Sequence, residues 1–299
     1  MSTLSVKRKT NGKKTSALYT VLFCILLLYV ISLVALLLWG IMTSLKLQED
    51  FRVNKVGFPN PLVFDNFKTI WDNFMVARMI NGVRREIYVE QMLVYTVLYT
   101  VGGAFFSTLA VLLTSYAVAK FNNIFSKIIY FIVITTMILP IVGAAPSEIS
   151  LLRALGLYNT IYGSWIQKFN FLGLYFLVMH ATFRGIPKEY WEAAYIDGAG
   201  KWRTLLSIIL PLVKNVLFTI MLIKFIDLWN DYQTPLLYLP SYPTLAFGVY
   251  ELSIATNQAL SYIPVRLAGC MMLLIPILIV FFIFKNKIMG NISIGGIKE

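Results

Sequence analysis

Apolar residues lie in long runs without a charge, and polar segments separate these runs along the chain. The first run, residues 15–45, has 31 residues and is longer than the roughly 20 that an α-helix needs to cross about 30 Å of hydrocarbon. Five later runs are shorter but close to that length. The pattern therefore predicts an all-α integral membrane protein with six transmembrane helices, at residues 15–45, 91–119, 128–147, 169–183, 212–229 and 265–284.

The polar segments divide the chain into five predicted regions. In order they are a basic tail, a first span, a second polar segment, a core of five spans and a short tail, at residues 1–14, 15–45, 46–90, 91–284 and 285–299. Pro59 and Pro61 interrupt the second polar segment, since proline disrupts helices and strands alike. We expect that segment to form a small folded cap outside the membrane, with its role open.

The composition is that of a chain that lies in a bilayer. Of the 299 residues, 58% are hydrophobic and only 13% are charged, against about 25% charged in soluble domains, and the mean hydropathy is +0.73. The six apolar runs leave no room for an independent water-soluble catalytic domain. A soluble enzyme is therefore excluded.

The positions of the charged residues along the chain explain the net charge of +12. If the N-terminus lies in the cytoplasm, the inner segments carry 15 basic and 4 acidic residues, and the outer segments carry 10 and 9. This asymmetry follows the positive-inside rule, so both termini are predicted to be cytoplasmic. Because a topological signal accounts for the basic residues, nucleic-acid binding is disfavoured.

The chain lacks the motifs of common catalytic and nucleotide-binding sites. Its one histidine, His180, and its two cysteines, Cys24 and Cys270, lie in separate apolar runs and have no metal-ligand spacing. Gly198 and Gly200 are not followed by the residues of a phosphate-binding loop. We therefore expect no catalytic residue, metal or cofactor on this chain, which leaves transport, signalling or scaffolding.

Residues 184–214, RGIPKEYWEAAYIDGAGKWRTLLSIILPLVK, form a long polar segment on the predicted inner side. Pro187 suits the first turn of a helix, Gly198 suits the turn after it, and a second amphipathic run is expected to stop at Pro211. The segment is thus predicted to be a pair of helices joined by a tight turn.

Two interpretations of this helix pair are open. Ala193 and Ala194 have little side-chain bulk, so another protein can approach closely, and the Glu192 carboxylate can meet a basic residue there. Alternatively, the pair rests on the lipid as an interfacial amphipathic helix. Three aromatic residues favour that alternative: Trp191, Tyr195 and Trp202.

The spacing within the segment resembles a known motif. Glu192, Ala193 and Ala194 are followed after three residues by Gly198 and, after nine more, by Ile-x-Leu-Pro. This spacing resembles the EAA loop of ABC-importer permeases, a helix pair seated in a cleft of the nucleotide-binding subunit. The resemblance implies a set of residues that contact a separate ATPase: Glu192, Ala193, Ala194, Asp197, Gly198, Ile208, Leu210 and Pro211.

Other passages resemble the carbohydrate, maltose-type branch of these permeases. They are PNPLVFDNFKTIW at 59–71, SYAVAKF at 115–121, LGLYNT at 155–160, WNDYQTPLLYL at 229–239 and MGNISIGGIKE at 289–299. The resemblance implies a type I ABC-importer permease fold in a bacterial plasma membrane, forming half of a translocation pathway. It also implies a related second permease, a dimer of ATPase subunits that binds ATP and Mg²⁺, an external solute-binding protein and an oligosaccharide substrate.

Residues near the end of the fifth predicted span are candidates for substrate contact. Sugars are bound by aromatic faces, amides and carboxylates, and the candidates are Trp229, Asn230, Asp231 and Tyr232. The same residue types also occur at membrane interfaces and in turns without a ligand. Lys224 and Asp227 share one helical face, where they can neutralise each other; alternatively, Lys224 faces the pathway and favours an acidic sugar.

A secondary transporter without an ATPase is the alternative function. In such a protein Asp227, Asp231 or Glu148 would bind a coupling ion. This alternative leaves the EAA spacing unexplained, and the sequence has neither an inverted repeat nor paired broken helices.

Overall fold

The computed structural model of the chain describes residues 12–80, 82–121, 123–139, 143–256 and 260–292, and the side chains of those between 18 and 284. Helices dominate these residues. Four of the helices described are long and apolar enough to cross a membrane: Leu18–Ser44, Val89–Lys120, Lys201–Trp229 and Ile263–Phe284. They correspond to the first, second, fifth and sixth predicted spans.

The elements follow one another in three groups. The first contains α1 (Gly12–Ser44), α2 (Gln48–Val53), α3 (Asp65–Asn73), β1 (Met75–Ile80) and β2 (Val83–Tyr88). The second contains α4 (Val89–Lys120), α5 (Ile124–Ile138), α6 (Ala145–Ala154), α7 (Ile161–Lys168) and α8 (Leu174–Arg184). The third contains α9 (Glu189–Ile196), α10 (Lys201–Thr204), a π-helical turn (Leu205–Ile209), α11 (Leu210–Trp229), α12 (Gln233–Tyr238), α13 (Leu245–Ser253) and α14 (Ile263–Ile292).

Helix α4 is the central element of the fold. It packs along α11 and α8 and also contacts α7. In the most apolar 18 residues of α4, 56% are buried within the chain. The corresponding shares are 22% for the span that ends with α11 and 17% for α14. Small residues permit this close packing, since a Cβ on Gly103 would lie 2.9 Å from the Leu228 side chain of α11.

Residues 46–90, which we call the cap, fold as α2, α3 and the hairpin of β1 and β2. The antiparallel strands pair in a register that joins Ile80 to Val83 across a two-residue loop. Apolar side chains of the cap share a buried cluster with α4, α13 and α14, which includes Ile70, Phe74, Val76, Ile87, Met92, Leu245, Leu252 and Val265. The cap is thus packed onto the ends of the spans.

The hairpin is an addition to the predicted all-α architecture. The sequence contains a signal for it, because Asn81–Gly82 is a dipeptide typical of two-residue hairpin loops, and Gly82 has a positive φ of 78°. This signal is only two residues long and lies among helical patterns. The pattern of the spans alone therefore predicts no strand here.

The third and fourth predicted spans are shorter in the structure than in the prediction. Helix α5 ends where Leu139, which precedes Pro140, takes an extended conformation. Helix α8 begins after Gly173, which has a φ of 119°. With 15 and 11 residues, these helices measure about 22 and 16 Å at 1.5 Å per residue, less than the roughly 30 Å of a hydrocarbon core. Six spans therefore stay a prediction.

Pro211 does not end the second helix of the polar segment, contrary to the prediction. Helix α10, the π-helical turn and α11 follow one another without a break. A proline inside a helix cannot donate to the carbonyl four residues earlier. The π-helical turn ends at Ile209, two residues before Pro211, and the Leu210 N–H donates to the Leu205 carbonyl across it. The polar segment is thus joined directly to the fifth predicted span.

Candidate functional site

The first helix that lies wholly within the EAA segment, residues 184–214, is α9. Glu192 lies in the first turn of this helix, where a carboxylate stabilises the positive end of the helix dipole. The Trp191 ring lies 5.6 Å from the ring of Tyr116 near the end of α4. An aromatic contact therefore holds α9 against the central helix.

Helix α9 ends in a Schellman motif, which explains the spacing between Ala194 and Gly198. The Ala199 N–H donates to the Ala194 carbonyl at 2.9 Å, and the Gly198 N–H donates to the Tyr195 carbonyl at 3.0 Å. The motif requires a left-handed residue at this position, and Gly198 has a φ of 74°. Ala194 and Ala199 hold the two positions at which the motif favours apolar residues, and both are buried. This half of the EAA spacing has a local structural cause.

The predicted coupling residues divide into an exposed and a packed group. The exposed group is Glu192, Ala193, Asp197, Gly198 and Pro211. The packed group is Ala194, which is buried, and Ile208 and Leu210, which are half-buried against an apolar cluster. The packed group fixes the position of the segment, while the exposed group presents carboxylates and small residues at the surface.

A groove of about 480 Å³ separates α9 from the ends of α4 and α8. Its charged lining residues are Lys120, Arg184, Lys188 and Glu192. Glu192 therefore lies at the edge of a largely basic groove.

Asp231, just beyond α11, is the centre of a polar cluster. Its Oδ2 accepts a hydrogen bond from the Tyr99 hydroxyl at 2.8 Å and lies 3.5 Å from the Lys168 ammonium nitrogen. Its Oδ1 accepts a hydrogen bond from the Thr234 N–H at 3.0 Å, and the Lys168 ammonium also donates to the Thr234 hydroxyl at 3.2 Å. We call these four residues the Asp231 cluster.

Burial and hydrogen bonding act in opposite directions on Asp231. Burial raises the pKa of its carboxyl group, but hydrogen bonds from Thr234, the charge of Lys168 and the hydrogen bond from Tyr99 together hold the pKa below its ordinary value. The carboxyl group is therefore ionised at neutral pH, and its partners are residues of this chain.

Trp229 and Asn230 occupy different environments, although both are substrate candidates from the sequence. Trp229 is 5% exposed, and its indole N–H donates to the Leu273 carbonyl at 3.0 Å, so its ring belongs to the core. Asn230 is exposed, and its amide donates to the Ile226 carbonyl at 2.9 Å. Only Asn230 of this pair is accessible at the surface of the chain.

Tyr232 forms a stacked pair with Tyr250, and their ring centroids are 4.8 Å apart. Tyr232 is half-buried and Tyr250 is exposed. The pair offers an aromatic edge beside Asn230. Of the substrate candidates predicted from the sequence, Tyr232 is the one whose ring forms part of this aromatic pair.

Lys224 and Asp227 do not form an ion pair in the structure, which describes both side chains. The Lys224 ammonium lies over the Tyr175 ring of α8, 4.7 Å from its centroid, and Asp227 is exposed. An aromatic face attracts a cation electrostatically. The helical spacing puts the two residues on one face, but the packing of α8 decides which partner Lys224 meets.

Lys168, Tyr99 and Thr234 were not predicted as site residues from the sequence. Lys168 and Tyr99 are 63 and 132 positions from Asp231, so no local pattern connects them. Thr234 is only three residues away, and an aspartate that accepts from the N–H three positions later is a common helix-start arrangement. That local signal was the only one available for this cluster.

The connections that follow α6 and α12 are hydrogen-bonded to each other. The Asn159 amide donates to the Ser241 hydroxyl at 2.7 Å, and the Ser241 N–H donates back to the Asn159 side chain at 2.9 Å. The Tyr238 hydroxyl donates to Glu148 at 2.7 Å, and burial together with this carboxylate raises the pKa of Tyr238 to about 12. Glu148 therefore already has a partner within the chain.

Residues 107–288, more than half of the chain, match the family described as binding-protein-dependent transport system inner membrane component. The chain therefore belongs to this family. It is a multi-pass protein of the bacterial plasma membrane and a transporter permease subunit, not an enzyme, as predicted. The match contains the EAA segment and most of the Asp231 cluster.

Curated relatives support this identification. The chain is 24% identical over 275 residues to the diacetylchitobiose uptake system permease protein NgcG of Streptomyces coelicolor, covering 91% of this chain and 86% of the relative. It is 27% identical over 268 residues to the probable starch degradation products transport system permease protein AmyC of Thermoanaerobacterium thermosulfurigenes, covering 87% and 89%. These relatives are sugar permeases, which confirms the resemblance to the carbohydrate branch.

Two solved structures share the fold. A chain of a bacterial ABC transporter involved in the import of the acidic polysaccharide alginate matches with a TM-score of 0.75 and 20% identity, covering 95% of this chain and 99% of that chain. A chain of the alginate transporter in complex with an alginate pentasaccharide-bound periplasmic protein matches with a TM-score of 0.61 and 16% identity, covering 92% and 96%. The chain thus has the fold of a permease from an ABC importer.

Proposed function

We propose that this chain is one permease subunit of an ATP-driven oligosaccharide importer and forms half of its translocation pathway, beside a second, related permease. The observation that carries the proposal is the construction of α9. Buried Ala194 and the motif at Gly198 fix the helix, while Glu192 and Ala193 remain exposed. A small residue permits close approach of a partner protein, and a carboxylate beside it offers a charge.

The proposed partner of the EAA segment is a dimer of separate ATPase subunits, which bind ATP and Mg²⁺. When the dimer closes on ATP, it draws the EAA segments of the two permeases together. The unbroken helix from α10 through α11 supports this transmission, because a displaced segment moves the span to which it is joined. The cavity between the permeases then opens outward.

The arrangement of α4 and α11 supports the proposed topology. Helix α4 begins beside the cap and ends beside α9, whereas α11 runs from the EAA segment to Asp231, which accepts from Tyr99 in the first half of α4. The EAA segment and the cap are therefore at opposite ends of the spans. We place the basic EAA end in the cytoplasm together with both termini, in a six-span type I topology.

The outer end is the proposed site of sugar delivery by an external solute-binding protein. The cap and the described residues 230–256 and 260–264 form this end. Relatives named for diacetylchitobiose and for starch degradation products support an oligosaccharide as the substrate class. Within this chain, Asn230 and the Tyr232 ring are the accessible candidates for contact, and Trp229 and Asp231 hold them in place.

Lys224 and Asp227 remain candidates for the pathway lining. Lys224 contacts Tyr175 on one side, and Asp227 is exposed. If Lys224 selects acidic sugars, Lys224→Gln will lower the transport of an acidic oligosaccharide relative to a neutral one. Unchanged selectivity in that variant removes Lys224 from the substrate site.

The decisive experiment is uptake into vesicles that contain the chain with its companion permease and ATPase subunits. We expect uptake to require internal ATP and to resist ionophores. The reverse result would establish the alternative, an ion-coupled secondary transporter.

A charge-reversal pair tests the docking surface. Glu192→Lys is expected to insert normally but to lose co-purification of the ATPase subunits. Glu86→Lys makes the same change at an exposed position of the cap, at the opposite end of α4, and is expected to retain them. Retention in both variants contradicts the proposed role of the EAA segment.

A further inference from the structure

Lys120, the last residue of α4, lies among three aromatic rings. Its ammonium nitrogen is 4.3 Å from the ring centroid of Trp191, 4.7 Å from that of Tyr195 and 5.8 Å from that of Tyr116. It also donates a hydrogen bond to the Tyr195 hydroxyl. A cation within about 6 Å of a ring centroid is attracted to the ring face, so all three rings contribute.

The geometry of α9 creates this environment. Trp191 and Tyr195 are four residues apart and therefore lie on one face of the helix, which is turned toward the end of α4. Lys120 is itself favoured in the last turn of α4, because a cation there meets the negative end of the helix dipole.

In a second cation–ring contact, the EAA segment supplies the cation and the end of α4 supplies the ring. The ammonium of Lys201, the first residue of α10, lies 5.6 Å from the ring centroid of Phe121, which directly follows α4. Both helices of the EAA segment thus contact the end of α4. Apart from Tyr116, which belongs to α4 itself, five residues make these contacts, and we call them the clasp: Lys120, Phe121, Trp191, Tyr195 and Lys201.

The clasp leaves Glu192 available. Lys120 and Glu192 line the same groove, yet the structure, which describes both, has no ion pair between them. The aromatic rings hold the Lys120 ammonium instead. The carboxylate next to Trp191 is therefore left for another molecule.

Helix α4 is anchored at its other end to the outer part of the fold. The Thr96 hydroxyl accepts a hydrogen bond from the Leu245 N–H of α13 at 2.8 Å, and the Tyr99 hydroxyl donates to Asp231 at 2.8 Å. A displacement applied to Lys120 is therefore delivered along one continuous helix to α13 and to the Asp231 cluster.

We propose that the clasp makes the EAA segment and α4 move together during the ATPase cycle, with Lys120 as a positioning residue. This inference rests on the proposed function of the EAA segment. It adds a second path of transmission, by side-chain contact through α4, to the covalent path through α11. Coupling between the two ends of the molecule then depends on a cation held by ring faces.

The test measures sugar transported per ATP hydrolysed by the complete transporter in vesicles. Lys120→Gln removes the cation and is expected to retain the ATPase subunits but to lower this ratio about three- to tenfold. Lys120→Arg keeps a cation that binds ring faces well and is expected to restore the ratio. Trp191→Leu is expected to lower it as well, and Trp191→Leu combined with Lys120→Gln to add little further loss.

The outcomes separate the clasp from a purely structural role. If the changes only impaired assembly, the amount of complex and both activities would fall together at an unchanged ratio, and the inference would be overturned. A wild-type ratio in Lys120→Gln, or an equal loss in Lys120→Arg, would also overturn it and leave the proposed function intact. The proposed function itself fails if the unaltered chain retains no ATPase subunit.

Discussion

The EAA segment and the Asp231 cluster lie at opposite ends of α11 and use their charged residues differently. In the EAA segment, Glu192 and Asp197 are exposed on helix surfaces whose position is fixed by buried small residues. In the cluster, the Asp231 carboxylate accepts from two groups within the chain and lies beside the Lys168 ammonium. Similar residue types therefore face outward in one region and inward in the other.

The difference shows that an aspartate among aromatic residues is not by itself a ligand site. A carboxylate whose hydrogen bonds and charge are satisfied internally stabilises the fold. One that remains exposed on a fixed helix is available to a partner. Four changes test this distinction, taken from the largest expected effect to the smallest.

Asp231→Ala is expected to destabilise the chain most. It leaves the Tyr99 hydroxyl without its acceptor and the Lys168 ammonium without its ion-pair partner. Because the side chains of Lys168 and Asp231 are 26% and 21% exposed, the loss is smaller than for a fully buried pair, and we expect about 2 kcal/mol. Thermal unfolding in detergent micelles measures it. The control Asp227→Ala removes an exposed carboxylate and should cost under about 0.5 kcal/mol; equal losses would contradict an internal role for Asp231.

Gly198→Val is expected to have the next largest effect. A β-branched residue at a φ of 74° costs about 1–2 kcal/mol, and the EAA surface is displaced with the end of α9. The matched control is Gly200→Ala, since Gly200 has a φ of −68° and a Cβ at either glycine meets open space. Titration of the permease with ATPase subunits should show weaker binding for Gly198→Val alone. Equal affinities for the two variants would show that the Schellman motif does not position the docking surface.

Tyr238→Phe should produce a smaller loss of stability. It removes the hydroxyl that donates to Glu148 at 2.7 Å, which is worth about 1 kcal/mol. Tyr250→Phe keeps the stacked ring at an exposed position and is the control. Thermal unfolding of both variants should show a lower melting temperature for Tyr238→Phe only.

Acid should loosen the Asp231 cluster before the clasp. The folded-state pKa of Asp231 is lowered, so its contribution to stability is present above its unfolded pKa of about 4 and is lost as the pH falls through the folded value. The five clasp residues include no carboxyl group. Hydrogen exchange corrected for intrinsic rates should rise first around residues 231–239, and Asp231→Asn should abolish that selective rise. A simultaneous rise in the exchange rate of α9 would contradict the expected difference in acid sensitivity between the Asp231 cluster and the clasp.

Several features of the fold and site were predictable because they depend on neighbouring residues. The length of an uncharged apolar run predicts a membrane helix, and the four long helices confirm this for four of the predicted spans. The spacing from Ala194 to Gly198 is the spacing of a helix end, since the bonded carbonyl and the left-handed residue lie within one turn. The dipeptide Asn81–Gly82 was also a local signal, although a short one.

The sequence by itself therefore determined that the chain is a helical membrane protein, where its longest helices run and where the EAA turn lies. Only the tertiary structure decided that Trp229 and Asp231 face the interior, that Lys224 meets Tyr175 and that Lys120 is held by the rings of α9. The physical reason is distance along the chain. Helix length and helix ends arise from hydrogen bonds between near neighbours, whereas the partner of a charged side chain is set by which remote helix packs beside it.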